Sequence, residues 1–497
     1  MAEVTDVVVI GSGFSGICTA IQLKRAGRHD FVILEKADDI GGTWRDNTYP
    51  GCACDVPSHL YSFSFEPNPR WSRMFSSQDE IWQYLRHCVD AYGLAPHLRF
   101  GADVTGARFD EDSGRWRVDV NGLDAFDCRI LVAGVGALHH PKIPDLPGLA
   151  SFAGTTFHSA RWRHDHDLTG RAVAVIGTGA SSVQFVPQIA PRVARLDLYQ
   201  RTPAWVTPKP DPPIAADRQQ LYARRPATQR AMRSLLYWAL EARGIGFTTT
   251  PKAMRLLERE ARTHLHRQVA DADLRARLTP HYQIGCKRVL LSDDFYPSLQ
   301  RDNVHLVTEP ISEVTPHGIG TVDGVQRDVD TIIFGTGFDV SANLVRLDLV
   351  GRGGRSLGDV WAEEGIGAHL GITVSGFPNL FLLLGPNTGL GHTSVVFMIE
   401  SQARYVTRAL DLMDSSGAST IEVRAEAQQR FVHRVQSRLD RTVWQSGCRS
   451  WYLDENGRNF TIWPHVTWRY WLRTRRPRPA DFVLEERRAG SPQTAAM

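Results

Sequence analysis

The chain has 497 residues, 42% of them hydrophobic and 22% charged, with 13 Trp and 21 Phe; that is enough chain for about three folding units and excludes a disordered, collagenous or staple-dependent protein. Lys and Arg total 57 against 54 Asp and Glu, too even a balance for a protein whose main partner is nucleic acid or an acidic membrane surface. No apolar run approaches the roughly 20 residues of a membrane helix, Met1-Ala2-Glu3-Val4 lacks the basic region of an export signal, and the seven cysteines (18, 52, 54, 88, 128, 286 and 448) form no CxxC pair, so a cytoplasmic protein with reduced thiols and no disulfide is expected.

In chain order, Asp6 to Ile10 reads as a short buried strand, Gly11 to Gly16 as a turn and Phe31 to Leu34 as a second strand, a βαβ unit. Gly11, Gly13 and Gly16 form GxGxxG, where the first glycine allows the tight turn, the second lets backbone approach a pyrophosphate and the third lets helix pack on strand. Glu35 ends the next strand, placing a carboxylate where it accepts from ribose hydroxyls and repels a 2′-phosphate, so FAD or NAD fits. The pattern returns at Ala172 to Ile176, Gly177-Thr178-Gly179-Ala180-Ser181-Ser182 and Leu196 to Tyr199. Here Arg201 occupies the position of the acid, and a guanidinium grips a 2′-phosphate, so the second unit selects NADPH.

Five prolines between Pro203 and Pro213 precede residues 217–278, which are rich in Arg, Ala, Leu, Glu and Gln and read as an inserted helical segment. The runs Thr331 to Phe334 and Leu380 to Leu384 read as strands returning to the two sheets. The fold class is therefore α/β, two Rossmann-like dinucleotide-binding domains with a helical insertion: 1–145 and 380–497 for FAD, 150–210 and 284–379 for NADPH, and 211–283 for the insert. The arginines of Arg469 to Arg478 read as a solvated basic stretch, and Ala489 to Met497 as a frayed tail.

One acidic and one basic unit in a single chain imply a tightly bound flavin reduced by a dissociable nicotinamide. Disulfide reductases share that layout but place their first redox cysteine where Trp44 stands. Cys52 and Cys54 do not reproduce their CxxxxC pair, which leaves O2 as the partner of reduced flavin and monooxygenation as the chemistry.

Over essentially its whole length the sequence resembles the type I Baeyer-Villiger monooxygenases. Their fingerprint FxGxxxHxxxW followed by Pro or Asp is matched by Phe152, Gly154, His158 and Trp162, with Arg163 departing at the last position. A second pattern is matched by Gly41, Gly42, Trp44, Tyr49, Pro50, Gly51 and Asp55, and further likeness lies in Gly285-Cys286-Lys287-Arg288, Phe334 to Phe338 and Gly385-Pro386-Asn387. The resemblance implies NADPH-dependent insertion of one oxygen atom of O2 beside a ketone carbonyl through a C4a-peroxyflavin, giving an ester or lactone. N- or S-oxygenation of amines or sulfides is the alternative.

It also implies residue roles. Arg288 supplies the fixed positive charge at the oxygen-transfer site, and Asp55 orients it. Phe14, Ser15, Lys36, Gly42, Thr43, Trp44, Val104 and Asn387 extend the flavin contacts. Lys287 joins Arg201 at the 2′-phosphate, Thr178, Ser181, Ser182 and Thr202 line the NADPH turn, and Trp451 stands near the nicotinamide half. His158 is expected to couple the linker to domain movement. The histidine pairs 164/166 and 264/266 have no further ligands at metal spacing, so no metal is expected.

Overall fold

The computed structural model describes residues 2–249, 253–340, 342–448 and 450–486; the predicted frayed tail lies outside them. Two sheets organise the chain. The first has eight strands: Asp348–Val350, Asp103–Asp110, Arg115–Asn121, Phe126–Ala133, Glu3–Ile10, Phe31–Leu34 and Leu98–Arg99 in that spatial order, with Leu380–Leu382 on Phe126–Ala133. Its centre is parallel, Val7 to Ile10 lying beside Phe31 to Leu34 on one side and Ile130 to Ala133 on the other. Every residue of Phe31–Leu34 is buried, as expected of a strand covered by helices on both faces. Residues 103–133 add an antiparallel meander in which Trp116 faces Cys128. Phe126–Ala133 has Glu3–Ile10 along one edge and shares the other edge between two strands: its first half pairs with Arg115–Asn121 and its last three residues with Leu380–Leu382.

The second sheet is parallel throughout, in the order Val304–Val307, Arg195–Tyr199, Ala172–Ile176, Thr331–Phe334 and Thr155–His158. The strands predicted at 172–176, 331–334 and 380–384 are thus present, the last ending at Leu382. The boundary drawn at residue 380 needs correction. Asp348–Val350 already pairs with Gly106 to Arg108 of the first sheet, so the chain returns there some thirty residues earlier. That segment is three residues long, too short an apolar run to stand out in sequence.

The stretch 216–278 folds as helices Ala216–Arg224, Pro226–Thr248, Met254–Gln268 and Ala272–Leu278. Met254, Leu257, Ala261 and Leu265 recur at three- and four-residue spacing and are buried on one face. Met254, Leu257 and Ala261 pack into the core of the first sheet, while Leu265, Leu274 and Leu278 pack into that of the second. The helices therefore bridge the two halves. Among the described residues no helix is long and apolar enough to cross a membrane.

The expectation of seven thiols is overturned. Cys286 and Cys448 form a disulfide across 162 residues, their Cα atoms 6.2 Å apart, while Cys18, Cys52, Cys54, Cys88 and Cys128 are free. Sequence spacing carries no signal for such a pairing, because the loops that bring the two cysteines together belong to different parts of the fold.

Candidate active site

The first glycine turn is built around missing side chains. A Cβ on Gly16 would lie 1.8 Å from the Gly11 carbonyl oxygen, and Gly42, at φ +54°, faces Gly13 closely enough that its Cβ would stand 3.4 Å from the Gly13 Cα. Gly41 donates its N–H to the Ser12 carbonyl at 3.1 Å, closing the two turns on each other. Glu35 is 4% exposed and held from above: the Ser12 N–H and hydroxyl donate to one oxygen at 2.9 and 2.7 Å, and Arg45 donates to the other at 3.0 Å. Burial alone would raise this carboxyl, but the Ser12 hydrogen bonds and the Arg45 charge overcome it and hold it below the usual carboxylate range.

Beside the turn, Phe14 and Ser15 are buried at the start of helix Phe14–Arg25, and the Phe14 ring meets Tyr61 edge-on at 5.2 Å. Gly42 precedes the short helix Thr43–Asp46, whose Trp44 donates to the Tyr61 hydroxyl at 3.1 Å. Lys36 is exposed at the end of the second strand. Val104 is buried in the meander, opposite Val120. Asn387 is buried at φ +57°, its amide donating to the carbonyls of Asn459 and Ile462.

The second turn repeats the design with one exchange. Gly177 has φ +106°, and a Cβ there would lie 2.6 Å from the Gly335 carbonyl oxygen. Ser182, in place of a third glycine, fits because the strand end opposite is Gly335: a Cβ on Gly335 would fall 1.9 Å from the Ser182 hydroxyl. Thr178 donates to the Thr202 carbonyl at 3.3 Å. Arg201 is exposed, and Lys287, its ammonium 4.9 Å from the Tyr282 ring, is shifted downward by burial and by the Arg201 charge, so the two cations stand together.

Residues 49–55 tie this turn to the first. Tyr49 donates to the Gln184 side chain at 3.0 Å; Gln184 in turn donates to the Ala53 carbonyl at 2.9 Å. A Cβ on Gly51 would lie 2.9 Å from the Gln184 carbonyl oxygen. The Tyr49-Pro50-Gly51 motif is thus a contact between the two halves.

That segment ends at Asp55, which receives Arg288 in a two-pronged pair: Nε donates to Oδ2 at 2.7 Å and Nη2 to Oδ1 at 2.6 Å. The side chains are 31% and 25% exposed, so the pair is only partly buried. Burial pushes Asp55 up, but the Arg288 charge and hydrogen bonds prevail and hold it below its ordinary value. The Asp55 charge raises Arg288, keeping it cationic. Nη1 makes no hydrogen bond to a described residue. Cys286, two residues before Arg288, is bonded to Cys448. Trp451 is 43% exposed and Tyr452 is buried, their rings 4.5 Å apart.

The fingerprint residues sit at the edge of the second sheet. Gly154 leaves room for the Asp330 carbonyl and the Phe152 ring, which a Cβ would meet at 2.4 and 2.6 Å. His158 ends the edge strand, accepts from Ala160 N–H at 3.1 Å and packs 5.6 Å from the Phe338 ring; burial moves it down to about 4, so it is neutral. Trp162 rests on Phe157 and Phe185. Arg163 pairs with Asp165 on the surface. Among the described residues no cluster of His, Cys, Asp or Glu is arranged to hold a metal.

Sequence reasoning missed Ser12, Arg45, Gln184 and Tyr452. Ser12 was findable, because it lies inside GxGxxG, and Arg45 follows Trp44 inside the second pattern at a position the pattern leaves open; Gln184 and Tyr452 are recruited by the packing.

Residues 9–77 match the NAD(P)-binding Rossmann-like domain family and residues 58–214 the L-lysine 6-monooxygenase/L-ornithine 5-monooxygenase family. Whole-chain likeness is closer. A protein of Pseudomonas aeruginosa named Baeyer-Villiger monooxygenase is 49% identical over 94% of this chain and 89% of its own, and one of the same name from Streptomyces coelicolor is 47% identical over 97% and 93%. The solved structure of OTEMO in complex with FAD and NADP superposes with a TM-score of 0.87 at 30% identity, over 97% of this chain and all of that one. Two glycine turns of opposite charge, an Arg–Asp pair between them and this likeness across the whole length lead to one conclusion: the chain belongs to the Baeyer-Villiger monooxygenases.

Proposed function

We propose that the chain oxidises a ketone to an ester or lactone with O2 and NADPH, holding FAD at the first glycine turn and NADPH at the second. FAD, when bound, takes hydride from NADPH and activates O2. The chain's residues fit both groups. The backbone cradle at Gly11, Gly13 and Gly42 is one that side chains would fill, which suits a pyrophosphate. Glu35 stands beside it, fixed by Ser12 and Arg45. At the second turn Arg201 and Lys287 form a cationic pair with no carboxylate bonded to either among the described residues, a site for the 2′-phosphate. Residues 2–145 with the described segments between 348 and 486 would form the FAD half, and 150–210 with 284–340 the NADPH half.

The observation that carries this proposal is the Arg288–Asp55 pair. Asp55 spends its two oxygens on Nε and Nη2, which fixes the guanidinium plane and leaves Nη1 for a ligand. A cation of this kind stabilises negative charge as it develops on the transferred oxygen and on the ketone oxygen. Arginine suits the task because its charge survives burial. Trp451, which is exposed, would stand near the nicotinamide half. The test is oxygen uptake and NADPH consumption with a panel of cyclic, linear, aromatic and polycyclic ketones, with products read by mass spectrometry. Ketone-dependent turnover with ester or lactone formation is expected. Oxygenation of amines or sulfides with no ketone product would instead place the chain with the N-hydroxylases that its residues 58–214 also match.

A further inference from the structure

The near-even charge of the whole chain hides an asymmetry: residues 211–283 hold 13 Lys and Arg against 7 Asp and Glu, so the helical insert is cationic and the rest of the chain net anionic. Much of that charge lies on helix Met254–Gln268. Its apolar residues are buried, while Arg255, Arg259, Arg262 and His266, spaced by four, three and four, share the exposed face with Arg267 beside them. A solvated helix face ordinarily interleaves acids with its bases at this spacing. Here Glu258 holds Arg262 at 2.8 Å, and the other three arginines of the helix have no bonded carboxylate among the described residues. The row leads toward the second glycine turn. A groove of about 660 Å³ is lined by Arg255 and Arg262 from the helix and by Tyr282 from the segment that follows the insert. The Lys287 ammonium sits 4.9 Å from that Tyr282 ring. The Arg262 guanidinium sits 5.1 Å from the ring of Trp205, which is 6.5 Å from Tyr282. A second groove, of about 670 Å³, continues along the helix past Arg259 to His266 and Arg267.

We propose that this row of arginines is an electrostatic entry path for NADPH, drawing the cofactor toward Lys287 and Arg201 before it docks; this rests on their assignment to the 2′-phosphate under the proposed function. The 2′-phosphate gives NADPH about two negative charges more than NADH. Exposed cations act on such a ligand at a distance, because their fields add and raise both its local concentration and its rate of association. The reach of that field is the Debye length, about 30 Å at 10 mM ionic strength and about 3 Å at 1 M. At low salt the row and Lys287 therefore act together, and at high salt they do not. No bond is made or broken in this step, and the row acts before docking rather than on the docked cofactor.

The test is the double variant Arg255→Gln/Arg259→Gln in the FAD-loaded full chain, set against Arg108→Gln/Arg117→Gln, which removes the same charge from the exposed face of the meander in the first sheet. Flavin reduction is followed by anaerobic stopped flow at sub-saturating NADPH or NADH, in low and in high salt. At about 10 mM ionic strength the second-order rate constant with NADPH should fall about three- to tenfold in the row variant, by clearly less with NADH, and by less than about twofold in the meander variant. At about 500 mM the row variant should match the parent within about twofold. The limiting rate at saturating NADPH and the melting temperature should hold, since the row acts before docking and its side chains are exposed. An unchanged rate constant at low salt would overturn the proposal. So would a fall of the same size at both salts, with NADH, or in the meander variant, and so would a lower limiting rate, which would place the effect on the docked state. If the parent's flavin takes no electrons from NADPH, the proposed function fails; if the parent is reduced and the row variant matches it, only the entry path is misassigned.

Discussion

Replacing Arg288 by alanine should separate oxygen transfer from flavin reduction. Two charge-assisted hydrogen bonds of 2.7 and 2.6 Å tie Arg288 to Asp55. Stranding one member of a fully buried pair costs about 3 to 5 kcal/mol; with side chains 31% and 25% exposed, the loss in stability falls toward about 2 to 3 kcal/mol. A donor aimed at developing negative charge is worth about 3 to 4 kcal/mol, so ester formation should fall by roughly 10² to 10³. Reduction by NADPH needs no such charge and should continue, seen as flavin bleaching after rapid mixing, with product followed by mass spectrometry. The pH dependence should also change sign. In the parent, Asp55 is held below its ordinary value, so the stability it contributes is present above the usual carboxylate pKa and is lost only as pH falls through the depressed one. Without Arg288, burial is the main influence left and raises the carboxyl, so the variant should become more stable as pH is lowered from neutrality toward 5. Full ketone oxidation by the variant, or melting with the parent's pH dependence, would refute this account.

Arg201→Gln should raise the KM for NADPH by about ten- to a hundredfold while leaving that for NADH nearly unchanged, and an equal rise for both would remove the 2′-phosphate assignment. Gly16→Ala places a carbon 1.8 Å from the Gly11 carbonyl oxygen, so the purified protein should carry little or no flavin, checked by its visible absorbance. Thiol titration of the unfolded, unreduced protein should find five of the seven cysteines. Cys448→Ser should lower stability by up to about 4 to 5 kcal/mol, the loop-closure figure for so long a separation, read by denaturant unfolding.

What the sequence disclosed follows the range of the forces involved. The strands 31–34 and 172–176 and both glycine turns are local: an apolar run bounded by residues that only a turn requires. Arg288 and Asp55 were reached through family likeness, because 233 residues separate them and no spacing rule joins them. Non-local features stayed hidden. The strand 348–350 is defined by its pairing with 106–108 rather than by its own three residues, and the disulfide by two loops meeting. Arg45 is found only once the chain has turned back onto Glu35. Glu35 itself illustrates the difference: its place beside the turn was legible, whereas its capture by Ser12 and Arg45 was not.

The central claim, that this chain inserts a single oxygen atom beside a ketone carbonyl, is tested most directly by turnover under isotopically labelled O2 with NADPH and each ketone of the panel. The account predicts an ester or lactone carrying one labelled atom, placed in the ring or chain beside the carbonyl, and labelled water in equal amount. Consumption of NADPH that yields only labelled hydrogen peroxide with every ketone, or a product whose new oxygen comes from solvent, would contradict it.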